Sequence, residues 1–215
     1  MAKIQKKAIS PEQKRLRYQE IMEVTDQLFH EHTYHEITLT VIAEKLGWSR
    51  GNLYKYVNTK EEIFLSLYLV KQKEFIETFE EQINNQEIVP NELFAEAMSI
   101  AFKKNLDYLK YHSMMTIILE TNVSIEKLAE FKKQSYLDRK VIFQYLAQQR
   151  HFEDDSQLIQ FFLTILYHGC GLYALVECTD NYIKAMELAE LPVQKIDFVD
   201  KFKSFILMCI QSQMI

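Results

Sequence analysis

Glycine and proline are scarce in this chain, four and three of 215 residues, too few for the close-set turns of a sheet protein. The prolines, Pro11, Pro90 and Pro192, fall at or near helix boundaries. No alternating strand pattern, internal repeat or low-complexity tract is present. Cysteine is also sparse: Cys170, Cys178 and Cys209 have neither CxxC spacing nor an even count, which argues against a disulfide scaffold or zinc site and for free core thiols. There is no unbroken apolar run of the ~18 residues a membrane span requires, and no basic-then-apolar leader, so a cytoplasmic chain is expected. A catalytic set is missing too. His168 and Cys170 stand two apart, on different sides of a helix, and Asp154-Asp155 reads as a helix start. His30, His32 and His35 cluster at a loop and read as a surface group rather than metal ligands. The expectation is a non-enzyme with no cofactor and no metal.

What the chain does have is helical periodicity and an uneven charge. Residues 1–60 carry ten Lys/Arg against seven Asp/Glu, a net of +3, which leaves −8 for residues 61–215 within the overall −5. Screening over about 8 to 10 Å makes local charge matter more than the total. Lys3, Lys6, Lys7, Lys14, Arg15 and Arg17 form a basic arm and helix start, with Ser10 as N-cap and Pro11 at the first helical position.

Residues 38–64, TLTVIAEKLGWSRGNLYKYVNTKEEIF, have the layout of a helix-turn-helix running into a further helix. Leu39, Ile42, Ala43 and Leu46 fall at i, i+3, i+4 and i+7, one face of a short helix that Thr38 caps. Gly47 follows where a left-handed residue ends the helix and turns the chain. Ser49 caps a second helix with Leu53 and Val57 inward, Trp48 packing at the turn, and Gly51 and Lys55 outward. A glycine inside a helix costs about 1 kcal/mol relative to alanine, which points to a close neighbour at Gly51, such as a base edge or phosphate. Thr59-Lys60-Glu61-Glu62 reads as a capping box opening the next helix, with Lys60 in its first turn.

With Leu28-Phe29 and Thr33-Tyr34 before it, this stretch resembles the DNA-binding domain of the TetR (tetracycline-repressor) family over residues 15–65. The matched positions are Thr38, Ile42-Ala43, Gly47, Ser49, Gly51, Leu53-Tyr54-Lys55-Tyr56 and Lys60 with Ile63-Phe64. Thr33 stands where the family usually has glycine, and Asn52 where Thr or Ser is frequent. The implied fold is all-α: an N-terminal three-helix helix-turn-helix DNA-binding domain, residues 1–60, and a C-terminal helical ligand-binding and dimerisation domain, residues 61–215. The implied function is a sequence-specific transcriptional regulator, a repressor released from a near-palindromic double-stranded DNA operator by a small-molecule effector. The other reading is a DNA-binding protein of the same fold with an effector-independent structural role in the nucleoid or in cell division. Chemistry assigns base contacts to Arg50 (guanine), Gly51, Asn52 (adenine) and Lys55. The resemblance puts Thr38, Ser49, Tyr54, Tyr56 and Lys60 on the DNA backbone.

Further helices are expected at 60–83, 91–111, 112–121, 124–150, 155–178, 181–190 and 195–213. In the last, Phe198, Phe202, Phe205 and Cys209 form a stripe, and in the long one before it Phe162, Gly169 and Tyr173 stand beside further apolar residues. These are expected to pair two subunits in a four-helix bundle. Phe102, Tyr108, Tyr111, Met115, Phe143, Phe162 and Tyr167 are candidates for an apolar effector pocket, its ligand apolar or, from the acidic balance, cationic. No membrane partner is expected, and localisation would be cytoplasmic and nucleoid-associated.

Overall fold

The computed structural model describes residues 10–83, 89–149, 152, 154–193 and 195–212, Thr116 and Gln149 by backbone alone. Ten α-helices are found among them: α1 Pro11–Glu31, α2 Leu39–Lys45, α3 Arg50–Leu53, α4 Lys60–Ile83, α5 Asn91–Lys104, α6 Leu106–Ser113, α7 Ile125–Gln149, α8 Asp155–Val176, α9 Asp180–Leu188 and α10 Phe198–Ser212. A π-helical turn, Met115–Leu119, and a 3₁₀ turn, Glu120–Asn122, join α6 to α7. No strand occurs among the described residues. Lys3, Lys6 and Lys7 of the basic arm, Asn84, Asn85 and Gln86 between the helices expected at 60–83 and 91–111, and Arg150 lie outside them.

Local chemistry sets several boundaries. Ser10 Oγ accepts from Gln13 N while Gln13 Oε1 accepts from Ser10 N, a reciprocal cap ahead of Pro11. The helix expected over 91–111 is two. Asn105 leaves helical geometry (φ −122°, ψ 49°) and its Nδ2 donates to Thr78 Oγ1 at 3.0 Å and Ala101 O at 2.8 Å, so its side chain competes with the ladder.

The chain forms two compact units: Met1–Leu67 with Thr116–Phe131, and Tyr68–Met115 with Lys132–Ile215. The division falls inside α4, and the α6–α7 connection groups with the N-terminal residues. In the first unit Ile21, Leu28, Phe29, Ile42, Leu53, Val57, Ile63 and Phe64 are buried, with Phe29 and Tyr34 edge-on to Phe64 at 5.1 and 5.2 Å. In the second, α10 packs on α5 and α8, and α6 on α8. Phe75, Phe102 and Tyr108 stack at its centre, Phe75–Phe102 at 4.2 Å.

Within the apolar second unit runs a polar chain. The buried Tyr68 hydroxyl lies 3.0 Å from His112 Nδ1 and 3.3 Å from the Tyr108 hydroxyl, to which it donates. Gln72 Nε2 donates to Ser135 O, and Ser135 Oγ donates to Gln72 Oε1. Burial holds the His112 imidazole down to about 4 from 6.5, with Arg139 and Lys132 adding repulsion. The folded pKa lies below the unfolded one, so the unfolded chain binds protons first. This contribution is complete above pH 6.5 and is lost as pH falls towards 4. The shift corresponds to roughly 3 kcal/mol. His112→Asn, which keeps a polar partner for Tyr68, should flatten the loss of unfolding free energy between pH 6.5 and 4, measured by urea denaturation. Equal slopes in both proteins would mean that the imidazole titrates in solvent.

Candidate nucleic-acid interface

The helix-turn-helix is built by two side-chain caps and one left-handed glycine. Thr38 Oγ1 accepts from Val41 N, and Ser49 Oγ from Asn52 N, both at 3.2 Å. Gly47 carries φ +68°, where a Cβ would be strained, and Trp48 N returns to Ala43 O at 2.8 Å. Leu53 and Val57 are buried as their spacing implied. α3 itself is short, Arg50–Leu53, and continues as tighter i+3 bonds, Lys55 N to Asn52 O and Tyr56 N to Leu53 O.

The outward face of α3 presents donors. Arg50, Gly51, Tyr54 and Lys55 are exposed and Asn52 is half-buried. A Cβ built on Gly51 meets nothing within 4 Å, so the space beside it belongs to whatever approaches from outside. Arg50 Nη2 donates weakly to the Tyr54 hydroxyl at 3.4 Å, and Lys55 Nζ donates to Asn52 Oδ1 at 3.1 Å. Each of these four side chains therefore has a light local partner that a base or phosphate can replace. Tyr56 is half-buried against Trp48 with ring centroids 5.6 Å apart, and Arg17 covers Trp48 from the other helix at 5.4 Å. Thr38 and Ser49 accept through their hydroxyl oxygens and keep the hydroxyl proton for another acceptor.

Lys60 requires a correction. Its ammonium was expected to face phosphate, yet it donates to Tyr34 O at 2.6 Å and Ile37 O at 2.8 Å and lies 3.7 Å from the Tyr34 ring centroid. Those carbonyls belong to the α1–α2 loop, so the charge fastens that loop to the start of α4. Burial lowers the lysine pKa, opposed by the charge of Glu61. Beside it the Tyr34 hydroxyl donates to Glu61 Oε1. The capping box at α4 also differs in detail: Glu62 N donates to Thr59 Oγ1, but the Glu62 carboxylate takes Asn58 N and Nδ2.

In the second unit the dimer candidates divide. Phe162, Phe198 and Phe202 are buried within one chain, and a Cβ on Gly169 would lie 3.1 Å from Leu109 and 3.3 Å from Phe202. They are intramolecular core because the Phe198–Phe202–Ile206–Ile210 stripe of α10 packs on α5 and α8. Phe205, Cys209 and Tyr173 are half-buried. Sequence reasoning pointed to Gly171 and Phe205 but missed Leu175 and Met208 on the neighbouring face: Tyr167 and Met208 are each 58% exposed, Leu175 54%, and Gly171 is open, with His168 stacked on Phe205 at 3.6 Å between α8 and α10. α8 is long and apolar enough by composition to cross a membrane, mean hydropathy 1.5, with a third of that window buried.

Among the described residues the pocket candidates differ in burial. Phe102, Tyr108, Tyr111 and Phe162 are fully buried and Met115 nearly so, whereas Tyr167 faces outward. Phe102 and Tyr108 stack on one another at 6.1 Å, and Phe162 meets Phe143 edge-on. Tyr108 edges a polar cleft of about 260 Å³, lined also by Lys71, Asn105 and Asp107. Phe143 lines a cleft of about 290 Å³ between α7 and α8 with Tyr136, Lys140, Asp155 and Leu158. Gln72, Ser135 and Arg139 went unnoticed in the sequence, although polar residues spaced among buried ones on α4 and α7 are the signal that marks them. The cysteines are half-buried rather than deep core. Cys170 Sγ reaches Leu109 O at 3.8 Å, and burial pushes its thiol up to about 12.

Lys60→Met removes a charged donor from two loop carbonyls and should lower unfolding free energy by about 1 to 3 kcal/mol in urea titration. Wild-type stability would return the ammonium to solvent and to phosphate.

Comparison with known proteins gives two family matches: "Bacterial regulatory proteins, tetR family" over residues 21–67, and "Tetracyclin repressor-like, C-terminal domain" over residues 70–211. Among curated relatives, the fatty acid metabolism regulator protein of Bacillus subtilis (strain 168) is 35% identical over 74 residues, 34% of this chain and 38% of that protein. The HTH-type transcriptional repressor AcnR of Corynebacterium diphtheriae is 27% identical over 186 residues, 83% of this chain and 92% of that one. A solved transcriptional regulator of the TetR/AcrR family from Thermobifida fusca YX-ER1 shares the fold with a TM-score of 0.57 at 18% identity, covering 89% of this chain and 96% of that one.

Proposed function

Because the chain belongs to the TetR family of bacterial regulatory proteins, we propose that it is a dimeric, sequence-specific repressor that reads a near-palindromic operator through α3 and leaves it when a small effector binds the second unit. The observation that carries this reading is the capped helix-turn-helix whose outward face offers Arg50, Asn52 and Lys55 around a bare Gly51. Guanidinium matches guanine O6 and N7, and a carboxamide matches adenine N6 and N7. Tyr54, Thr38 and Ser49 are the backbone-positioning hydroxyls.

Two copies of α3 must be about 34 to 36 Å apart to enter successive major-groove faces. The exposed apolar face of α8 and α10, Tyr167, Gly171, Leu175, Phe205 and Met208, supports a two-fold pairing there. An isologous contact of this kind buries the same patch twice. The repressor sense is borrowed from the Corynebacterium relative, whose name states it. An effector acts only by binding the DNA-incompetent form more tightly than the competent one. A coupling of about 1 to 3 kcal/mol would loosen the operator 5- to 150-fold.

Genomic footprinting of the bound protein tests the whole reading: a small set of near-palindromic sites is expected, and indifference to double-stranded DNA at low salt would overturn it. Arg50→Ala should cost roughly 1 to 3 kcal/mol on the operator and relax preference at one base pair, read by anisotropy on specific and random duplexes. An equal loss on both would reassign Arg50 to the backbone. Met208→Glu, which buries an unpaired carboxylate in the proposed pairing face, should turn a sedimenting dimer into a monomer at micromolar concentration and weaken operator binding. An unaltered dimer would move the interface elsewhere.

A further inference from the structure

Among its described residues the second unit holds a cation with no anion to match it. Arg139, on α7, is half-buried, and its only hydrogen bond among the described residues is from Nε to Ser135 O, 3.1 Å away in the same helix. Among the described residues no carboxylate pairs with it. Asp138, its neighbour in the chain, accepts instead from Gln134 Nε2 at 2.7 Å. The guanidinium carbon stands 6.0 Å from the Phe162 ring centroid, at the outer limit of a cation–π contact. Phe162 meets Phe143 edge-on at 5.7 Å, and Phe143 meets Tyr136 at 6.0 Å. Tyr136 and Phe143 lie one turn to either side of Arg139 and line the cleft between α7 and α8. The charge of Arg139 is felt at Tyr68, Tyr108 and His112, and Lys132 adds to it at His112.

A half-buried guanidinium among rings, with its terminal nitrogens unengaged, pays desolvation without a partner. Such an arrangement is retained where the partner arrives from outside. We propose that Arg139 is the recognition point for an effector bearing a single carboxylate on an apolar body, the carboxylate taking the free edge of the guanidinium and the body lying on Tyr136 and Phe143 at the cleft between α7 and α8. The planar fork of arginine matches a carboxylate with two parallel bonds. Lys140 and Asp155, which also line the cleft, are opposite in charge, so Arg139 supplies the net positive charge there, which suits a monoanion better than a phosphate dianion. The acidic total of residues 61–215 pointed to a cationic ligand; the local field around Arg139 reverses that expectation.

The proposal rests on the effector-responsive reading, and its test reads ligand binding rather than DNA release, so the two can fail separately. The full-length protein is titrated with octanoate and 2-naphthoate, and with octanamide and 2-naphthamide as neutral counterparts of the same shape, following Tm and the calorimetric Kd. At least one carboxylate should raise Tm by a few degrees where its amide does not, and Arg139→Gln should weaken that carboxylate at least about tenfold while leaving the amide unchanged. Arg139→Lys, which keeps the charge but not the fork, should fall between. Without ligand, Arg139→Gln should be as stable as the wild type or more so. A drop in the ligand-free Tm of Arg139→Gln would make the residue structural. Carboxylates and amides acting alike, or neither acting, would overturn the anion assignment.

Discussion

The N-terminal unit depends on a pair of adjacent residues with opposite charge, Lys60 and Glu61, that face one aromatic residue. Tyr34 gives its hydroxyl proton to Glu61, its carbonyl to Lys60 and its ring face to the same ammonium. A carboxylate with 9% exposure and a partly buried ammonium are both costly to desolvate, and each is compensated by a part of Tyr34. The loop after α1 is thereby closed onto the first turn of α4, with Ile37 carbonyl as the second strut. α2 begins one residue after the Thr38 cap, so this closure sets where the helix-turn-helix starts. Burial and the Glu61 charge push the Tyr34 hydroxyl well above its usual range, so it remains a donor throughout the range in which the carboxylate is ionised.

Much of this unit was legible in the sequence because its signals are local. A cap hydroxyl three residues before the amide it holds, a glycine at a left-handed position and an i, i+3, i+4 stripe are all readable without knowing the partner. Thr38, Ser49, Gly47 and the start of α4 at Lys60 follow from such signals. Lys60 itself was misread for the same reason. Its neighbours along the helix are amides that favour anions, whereas its actual partners, Tyr34 and Ile37, are more than twenty residues away and leave no mark on the local pattern.

The C-terminal unit exposes the opposite limit. Periodicity states that a face is apolar; it does not state whether the same chain or another copy covers it. On α10 the strongest stripe, Phe198, Phe202, Ile206 and Ile210, went inward, as the larger burial predicts, and the weaker face with Phe205 and Met208 remained outward. α8 is apolar enough to serve two neighbours, with Phe161, Phe162, Ile165 and Leu166 on one side and Tyr167, Gly171 and Leu175 on the other. The effector candidates suffered from the same ambiguity. Rings at helical spacing pack on each other when they can, and Phe75, Phe102 and Tyr108 do so.

Polar residues inside an apolar stripe carry more information than the stripe. Gln72 lies one turn beyond Tyr68 on α4, Ser135 one turn before Arg139 on α7, and the two pairs meet through Gln72 and Ser135. Whole-chain charge is silent about such a place. The molecule is acidic, −5 overall, yet the two regions argued to receive anions, the α3 face with Arg50 and Lys55 and the ring cluster around Arg139, are islands of positive charge. Net charge governs solubility and non-specific repulsion. Recognition is decided within a screening length of the bound group, where the nearest unpaired cation outweighs a distant surplus of carboxylates.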